Sequence, residues 1–216
     1  MTAVTAGNVE RSQDRIVWID CEMTGLDLVA DALVEVAVLV TDSELTVLGD
    51  GIDVVIRPPA DSLTQMRDIV RQMHTTSGLL DELEAGLTLQ DAQRVVLDYV
   101  RAFVPEPRRA PLAGNSVATD RGFLARDMPE LEGHLHYRII DVSSIKELAR
   151  RWYPRVYFAS PEKRGGHRAL ADIRESIEEL KYYREALFVP QPGPDSETAR
   201  GIAAKYMQAP EPVAEA

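Results

Sequence analysis

The sequence predicts an α/β domain with a mixed five-stranded sheet flanked by helices. Strand-like segments follow one another through short links in the first quarter, whereas strand and helix patterns alternate in the second half. A chain of 216 residues, 45% of them hydrophobic, can bury one substantial core. We expect a flexible segment at 1–14, one domain at 15–189 and a flexible tail at 190–216, where Pro, Ala, Gly and acidic residues predominate.

Three strands begin the domain. A continuous apolar run that starts at Ile16 and is ended by Thr24 and Gly25 is typical of a central strand covered on both faces. Two segments rich in β-branched residues follow at 32–40 and at about 47–56, with a bend or bulge expected at 49–51. The short links between these segments predict an antiparallel meander of three strands.

Helices and two further strands complete the predicted domain. Residues 63–73 indicate a short helical region, and Thr88 caps an amphipathic helix that ends before Pro105. The remaining elements are a strand at 111–114, a helix at 119–126, a strand at 138–142, a helix capped by Ser144 and Glu147 that runs to about Trp152, and a long helix at 168–187. This order of elements is the layout of a ribonuclease-H-like domain.

Two carboxylates interrupt the first apolar strand. Asp20 and Glu22 share one face of that strand, with their Cα atoms about 6.5 to 7 Å apart. Adjacent buried anions repel each other and persist only when they are paired or bound to metal, so a pair of divalent cations would satisfy both. The alternative is that both residues lie at a strand end and form ion pairs with arginines.

Three further residues extend this candidate site. Asp120 falls in the first turn of the helix at 119–126, where an acidic residue could also simply complement the helix dipole. His167 follows Gly165 and Gly166 and precedes the helix that carries Asp172. Histidine is suited to take a proton from water near neutral pH, and a glycine hinge would let it close over a substrate. Alone, either residue would be an ordinary surface histidine or helix-start acid.

The charge of the chain limits the kinds of partner. A formal net charge of -11 argues against a broad basic surface that holds long nucleic acid. A local group of cations could still hold a short anionic ligand, although a solvated helix face explains Arg150 and Arg151 equally well. This group comprises Arg138, Lys146, Arg150, Arg151, Arg155, Lys163, Arg164 and Arg168.

The single cysteine bears on location. Cys21 cannot form an intramolecular disulfide, and the first fifteen residues lack the apolar core of a signal peptide. Glu35 interrupts the longest apolar candidate segment, so no stretch approaches a membrane span. We expect a soluble cytoplasmic protein with neither a membrane nor a long nucleic acid duplex as partner.

The motifs together resemble the DEDDh exonuclease superfamily and, within it, the oligoribonuclease family. The resemblance covers about residues 15–189. It rests on Trp18-Ile19-Asp20-Cys21-Glu22-Met23-Thr24-Gly25-Leu26, Gly114-Asn115-Ser116 with Asp120, His136-Tyr137-Arg138, Asp141-Val142-Ser143, the run from Lys146 to Trp152, and the run from His167 to Ser176. It implies a homodimeric, metal-dependent 3′-to-5′ exoribonuclease that hydrolyses very short RNAs, especially 5′-phosphorylated dinucleotides, to nucleoside 5′-monophosphates.

The resemblance also implies roles for particular residues. Asp20, Glu22, Asp120 and Asp172 would hold two Mg²⁺ or Mn²⁺ ions, and His167 would be the general base. The positions that match a leucine wedge against the bases and polar groups around the 5′ phosphate are Leu26, Ser116, Arg138 and Ser143.

Three further positions either have a second explanation or differ from the family pattern. Tyr137 matches a tyrosine that reaches the site from the other subunit, with a core or interface aromatic as the alternative. His74 matches a histidine near the 3′ end of the substrate, against the alternative of a surface histidine at a helix end. Ile69 stands where well-known relatives carry a tryptophan that stacks on a base, which puts affinity in question.

Two acidic residues stay outside the predicted ligand set. Glu35 is expected to pair with an arginine or to support the site from behind, and Asp141 to cap a helix. Two other functions remain open from the sequence: an exonuclease of the same superfamily that acts on longer RNA or DNA, and a catalytically silent nucleotide-binding module.

Overall fold

The computed structural model describes residues 14–162 and 168–207 and contains one five-stranded sheet. Its strands are β1 (Ile16–Met23), β2 (Leu33–Thr41), β3 (Val47–Val55), β4 (Pro111–Gly114) and β5 (His136–Asp141). They lie side by side in the order β3-β2-β1-β4-β5. The first three strands pair antiparallel, whereas β4 runs parallel to both β1 and β5, which confirms the predicted mixed sheet.

Helices cover the sheet. Those before β5 are α1 (Ala60–Gln65), α2 (Asp68–Thr76), α3 (Leu79–Glu82), α4 (Leu89–Phe103), α5 (Ala118–Asp127) and α6 (Pro129–His134). Those after it are α7 (Val142–Trp152), α8 (Pro154–Phe158), α9 (Ala169–Leu187) and α10 (Ser196–Tyr206). Within the described ranges, no helix is both long and apolar enough to cross a membrane.

The alternation of side chains along β1 gives the sheet two different covered faces. Val17 and Ile19 belong to an apolar cluster that also contains Val96 and Val100 of α4. Trp18 points to the opposite face and packs in a second cluster that contains residues of α9. Because every residue of β2 is buried, the centre of the sheet is covered on both sides, as the continuous apolar runs predict.

The predicted bulge in the meander is present. Val38 pairs with Ile52 and Val40 pairs with Leu48, so the register shifts between these two pairs. Gly49 and Gly51 lie within the shifted segment of β3 and have φ of 73° and 86°, a backbone conformation that favours glycine.

Helix starts both support and correct the sequence analysis. The side chain of Thr88 accepts a hydrogen bond from the amide of Asp91 and caps α4, as predicted. The capping box at Ser144 and Glu147 is wrong, because α7 begins at Val142. Asp141 ends β5 and its carboxylate accepts the amide of Ser143, so this earlier residue caps the helix.

A helix lies inside the segment predicted as a flexible tail. Residues Ser196–Tyr206 form α10, and the side chain of Asp195 accepts the amide of Thr198 at its start. No residue of α10 is buried. Apolar periodicity in a sequence indicates a helix that packs against a core. Helix α10 does not pack against the core, so the sequence pattern did not reveal it.

Candidate active site

The site begins on the face of β1 that lies beneath α9. Asp20 is opposite Ala37 of β2, and Glu22 is opposite Glu35. Directly paired residues on adjacent strands share a face, so both carboxylates project toward the side covered by α9. This is the shared face that the spacing of Asp20 and Glu22 predicts.

Helix α9 brings a third carboxylate to the same place. Asp172 lies in its first turn, and Ala169 and Ile173 pack on the sheet beside Trp18 and Ala37. Asp20, Glu22 and Asp172 each offer a ligand oxygen, and these oxygens all lie within 4.8 Å of one another. We call these three residues the acidic cluster. Converging carboxylate oxygens of this kind fit a hard divalent cation.

The electrostatics of Glu22 support the same fit. Burial, together with the negative charges of Glu35 and Asp172, raises the pKa of Glu22 from its usual 4.5 to about 8. Ionising Glu22 near neutral pH is therefore unfavourable unless a positive charge compensates it. The nearby positive charge of Arg168 opposes this rise in the pKa of Glu22 without cancelling it.

Asp120 lies beside the acidic cluster rather than within its close set of oxygens. Its Oδ1 accepts the amide of Cys21 at 3.0 Å, and burial raises the pKa of Asp120 to about 6. Strands β1 and β4 pair only at Val17 with Leu112 and at Trp18 with Ala113. Beyond these pairs the amide of Cys21 takes the carboxylate of Asp120 instead of a strand partner.

His74 is buried against the end of β1. Its Nε2 lies 2.8 Å from the carbonyl oxygen of Met23, and its Nδ1 lies 4.0 Å from Oε2 of Glu22. A carbonyl can only accept, so Nε2 is the donor and Nδ1 faces the carboxylate. The alternative of a surface histidine is wrong, because the end of α2 folds onto β1 and leaves the ring with no exposed area.

The serines predicted near the 5′ phosphate meet at the ends of β4 and β5. The Oγ of Ser116 donates to Oγ of Ser143 at 3.2 Å, and Ser143 donates to Oδ1 of Asn115 at 2.9 Å. Both serine amides donate to Oδ1 of Asp141, and Ser116 adopts a left-handed φ of 52° to do so. Asp141 thus acts as a cap, as expected, and also joins the two segments.

The other predicted substrate contacts lie at exposed positions. Leu26 is 69% exposed just beyond β1, and Ile69 is 60% exposed in α2. Tyr137 is 72% exposed on the edge strand β5, which rules out a core aromatic, and the guanidinium of Arg138 lies 5.5 Å from its ring centroid. His167 lies outside the described residues.

Four residues of the basic group found in the sequence form ion pairs. Lys146 pairs with Glu179 at 3.0 Å, and Arg150 and Arg151 both pair with Glu147 on the exposed surface of α7. Arg168 pairs with Glu35 at 2.8 Å, the arginine contact expected for this buried glutamate. Lys163 and Arg164 lie outside the described residues. The solvated helix face is therefore the correct explanation for Arg150 and Arg151.

Sequence reasoning missed two contacts near the site. The side chain of Asn115 donates to Ser176 and Glu179, so it joins the serine pair to α9. The carboxylate of Glu35 accepts the amide of Ala169 at the start of α9. Two sequence features could have indicated the second contact. Glu35 is a charged residue in an otherwise apolar strand, and the helix that starts after Arg168 has no typical capping residue at its N-terminus.

Comparison with known proteins agrees with this geometry. A family model described as exonuclease, RNase_T, matches residues 17–180, so the sheet and its acidic cluster belong to a divalent-metal-dependent exonuclease. The oligoribonuclease of Streptomyces avermitilis is 74% identical over 194 residues, covering 90% of this chain and 97% of that protein. The oligoribonuclease of Cutibacterium acnes is 64% identical over 191 residues, covering 88% and 95%. The chain belongs to the oligoribonuclease family.

Solved structures show the same fold at low identity. Exonuclease I from Methylocaldum szegediense aligns with a TM-score of 0.59 at 21% identity, covering 80% of this chain and 41% of that one. The zinc-bound complex of E. coli ExoI with ssDNA aligns with a TM-score of 0.61 at 15% identity, covering 81% and 41%. These similarities confirm the predicted ribonuclease-H-like architecture.

Proposed function

We propose that this exonuclease hydrolyses very short oligoribonucleotides, especially 5′-phosphorylated dinucleotides, from the 3′ end to nucleoside 5′-monophosphates. The observation that carries the proposal is the convergence of three carboxylate oxygens within 4.8 Å beneath α9. The high identity to proteins named oligoribonuclease supports the choice of short RNA as substrate.

The acidic residues would hold the cofactor. Asp20, Glu22 and Asp172, with Asp120 beside them, would bind two divalent cations, Mg²⁺ or Mn²⁺. When bound, such cations lower the pKa of a water and stabilise charge on a leaving oxygen. His167, which directly precedes Arg168, would accept the proton of the attacking water as general base.

The proposed preference for short RNA depends on how the substrate ends are held. Leu26 projects into solvent just after β1 and would wedge against a base. The paired hydroxyls of Ser116 and Ser143, with Arg138, would surround the 5′ phosphate. His74, beside Glu22, would lie near the 3′ nucleotide. A site closed at both ends would exclude longer chains.

A homodimer is part of the proposal. Tyr137 is exposed on an edge strand, where its ring can reach a neighbouring subunit. Its aromatic ring would complete the partner's site, so that a monomer would be less active. Sedimentation of the purified protein, with activity measured across a dilution series, tests this part directly.

We also propose a cytoplasmic location, which is supported by the lone, buried Cys21. Fractionation of cells that produce the protein would test it, and recovery with secreted proteins would contradict it.

A length series with a chelator control tests the main proposal. We expect 5′-phosphorylated diribonucleotide to release mononucleotide in Mg²⁺ or Mn²⁺, and release to stop when a chelator is added. An RNA of about 20 nucleotides should be degraded far more slowly, because the acidic chain offers few phosphate contacts. Equal rates would favour the alternative, an exonuclease for longer RNA or DNA. Binding without turnover in Mn²⁺ would favour a silent nucleotide-binding module.

A further inference from the structure

The start of α9 is capped from a distant strand. Arg168 occupies the N-cap position, and its side chain makes no capping hydrogen bond. The amide of Ala169 instead donates to Oε2 of Glu35 in β2 at 3.0 Å. The first amides of a helix have no acceptor within the helix, and its N-terminus favours a negative charge. The carboxylate of Glu35 meets both needs.

The second oxygen of the same carboxylate is also used. Oε1 of Glu35 accepts Nε of Arg168 at 2.8 Å. The guanidinium of Arg168 further contacts Glu82 of α3 at 3.0 Å and Asp53 of β3 at 3.5 Å. Two consecutive residues at the start of α9 are therefore tied to the sheet through one buried side chain.

Placing Glu35 here is costly for stability. The residue has no exposed surface, and it lies directly opposite Glu22 in the pairing of β1 with β2. A buried carboxylate loses solvation, and a second carboxylate on the same face adds repulsion. An apolar residue would suit the rest of β2, which is buried throughout. The contacts of Glu35 with α9 are the feature that such a residue could not supply.

We propose that Glu35 is a positioning residue that fixes the first turn of α9 so that Asp172 reaches the acidic cluster. This inference rests on the proposed function of that cluster in holding divalent cations. Asp172 lies three residues after Ala169 in the same helical turn, so a displaced helix start displaces its carboxylate. Both partners of Glu35 are donors, and each of its two carboxylate oxygens accepts from one of them.

Two substitutions separate positioning from simple electrostatics. Glu35→Gln leaves an amide NH₂ group facing a donor, and Arg168→Met removes the guanidinium but keeps an unbranched stem. Electrostatics alone predicts weaker cation binding for the first and tighter binding for the second, because Arg168 is a cation near the cluster. Positioning predicts weaker binding for both. Loss of groups that orient metal ligands commonly lowers metal affinity by about 10- to 100-fold.

The measurement is calorimetric titration of the full chain with Mn²⁺ alone, without RNA. We expect both variants to bind Mn²⁺ at least about tenfold more weakly than the wild type. Glu82→Gln is the matched control, because it removes an acidic partner of the same arginine and leaves the amide of Ala169 untouched. Its affinity should stay within about twofold of the wild type, as expected for an exposed ion pair.

Wild-type or tighter Mn²⁺ binding by folded Arg168→Met would overturn the proposal. If thermal melting shows that this variant does not fold, Arg168→Lys takes its place. Lysine keeps the charge but lacks the planar fork, so about tenfold weaker binding is expected and wild-type affinity would refute positioning.

Cleavage of diribonucleotide is measured separately. If the variants bind Mn²⁺ more weakly but the wild-type protein does not cleave diribonucleotide, only the proposed substrate is refuted. If the wild-type protein cleaves diribonucleotide and the variants bind Mn²⁺ as tightly as it does, only the positioning role is refuted.

Discussion

The two faces of β1 differ along their length. On one face Val17, Ile19 and Cys21 continue without interruption into the apolar cluster shared with α4. On the other face Trp18 is buried beneath α9, but the next two positions are Asp20 and Glu22. The first face follows the rule that a central strand buries apolar side chains. The face that carries Asp20 and Glu22 departs from this rule at the positions where cation binding would require carboxylates. The two faces should therefore respond differently to substitution.

The largest expected effect is on the acidic face. Asp20→Asn keeps the size of the side chain but removes a charged cation ligand, so we expect kcat for diribonucleotide hydrolysis to fall by at least about 1000-fold, or about 4 kcal/mol. Single-turnover kinetics at saturating Mn²⁺ would measure it. Circular dichroism should remain unchanged. Wild-type turnover by the folded variant would remove Asp20 from the ligand set.

Glu22 offers a prediction about pH. Its folded pKa of about 8 exceeds the usual 4.5, so the native state binds more protons than the unfolded state between these values. Without cations, the free energy of unfolding should therefore be fully retained below about pH 4.5 and decrease as the pH rises toward 8. Glu22→Gln should flatten this slope and stabilise the cation-free protein at about pH 8 by up to about 4 kcal/mol, because one pKa unit corresponds to about 1.4 kcal/mol.

Urea denaturation in chelator at several pH values measures this effect. Glu178→Gln is a suitable control, because Glu178 is exposed and pairs only with Lys181 among the described contacts. That variant should follow the wild-type pH profile. A wild-type protein whose stability rises between about pH 5 and 8 would contradict the assigned ionisation of Glu22.

The apolar face should show the reverse pattern. Val17→Ala removes two buried methyl groups three residues before Asp20, so we expect the free energy of unfolding to fall by about 2 kcal/mol. Turnover at a temperature where the variant is folded should remain within about threefold of the wild type. A large loss of kcat in folded Val17→Ala would show that the two faces are not independent.

A feature of this site could be predicted from the sequence when the residues that produce it are close together in the chain. Alternation along β1 is local, so the shared face of Asp20 and Glu22 could be predicted from spacing alone. The cap of α7 is also local: Asp141 directly precedes the helix and was expected to cap one, whereas the capping-box spacing of Ser144 and Glu147 falls inside the helix. The cap that Glu35 provides joins residues 134 positions apart. Neither propensity nor periodicity carries information about such a contact.

The burial of His74 was beyond local patterns for the same reason. Its position at the end of α2 indicates exposure, and only the folding of α2 onto β1 places its ring between Met23 and Glu22. The first turn of α9 is a comparable case: Asp172 was expected to be an early helix residue, but its distance from Asp20 depends on how α9 crosses the sheet.

The smallest predicted effect lies at the rim of the acidic face. Ile69 is exposed on α2, five residues before His74, so it lies about 7.5 Å away along the helix axis. Stacking of one base on an aromatic ring is worth about 1 to 3 kcal/mol. Because the added ring would be exposed, Ile69→Trp should lower KM for diribonucleotide by about fivefold, or about 1 kcal/mol, while kcat stays unchanged.

Steady-state kinetics on a series of diribonucleotides would measure this change, with Ile69→Leu as a control of similar size that lacks a ring. Purine-containing substrates should gain more than pyrimidine ones, because larger bases stack over a greater area. If Ile69→Trp changes kcat and leaves KM alone, α2 influences the acidic cluster through His74 rather than through contact with the base. That outcome would place α2 with α9 as a helix that positions the cluster, and the rim would no longer be a separate binding region.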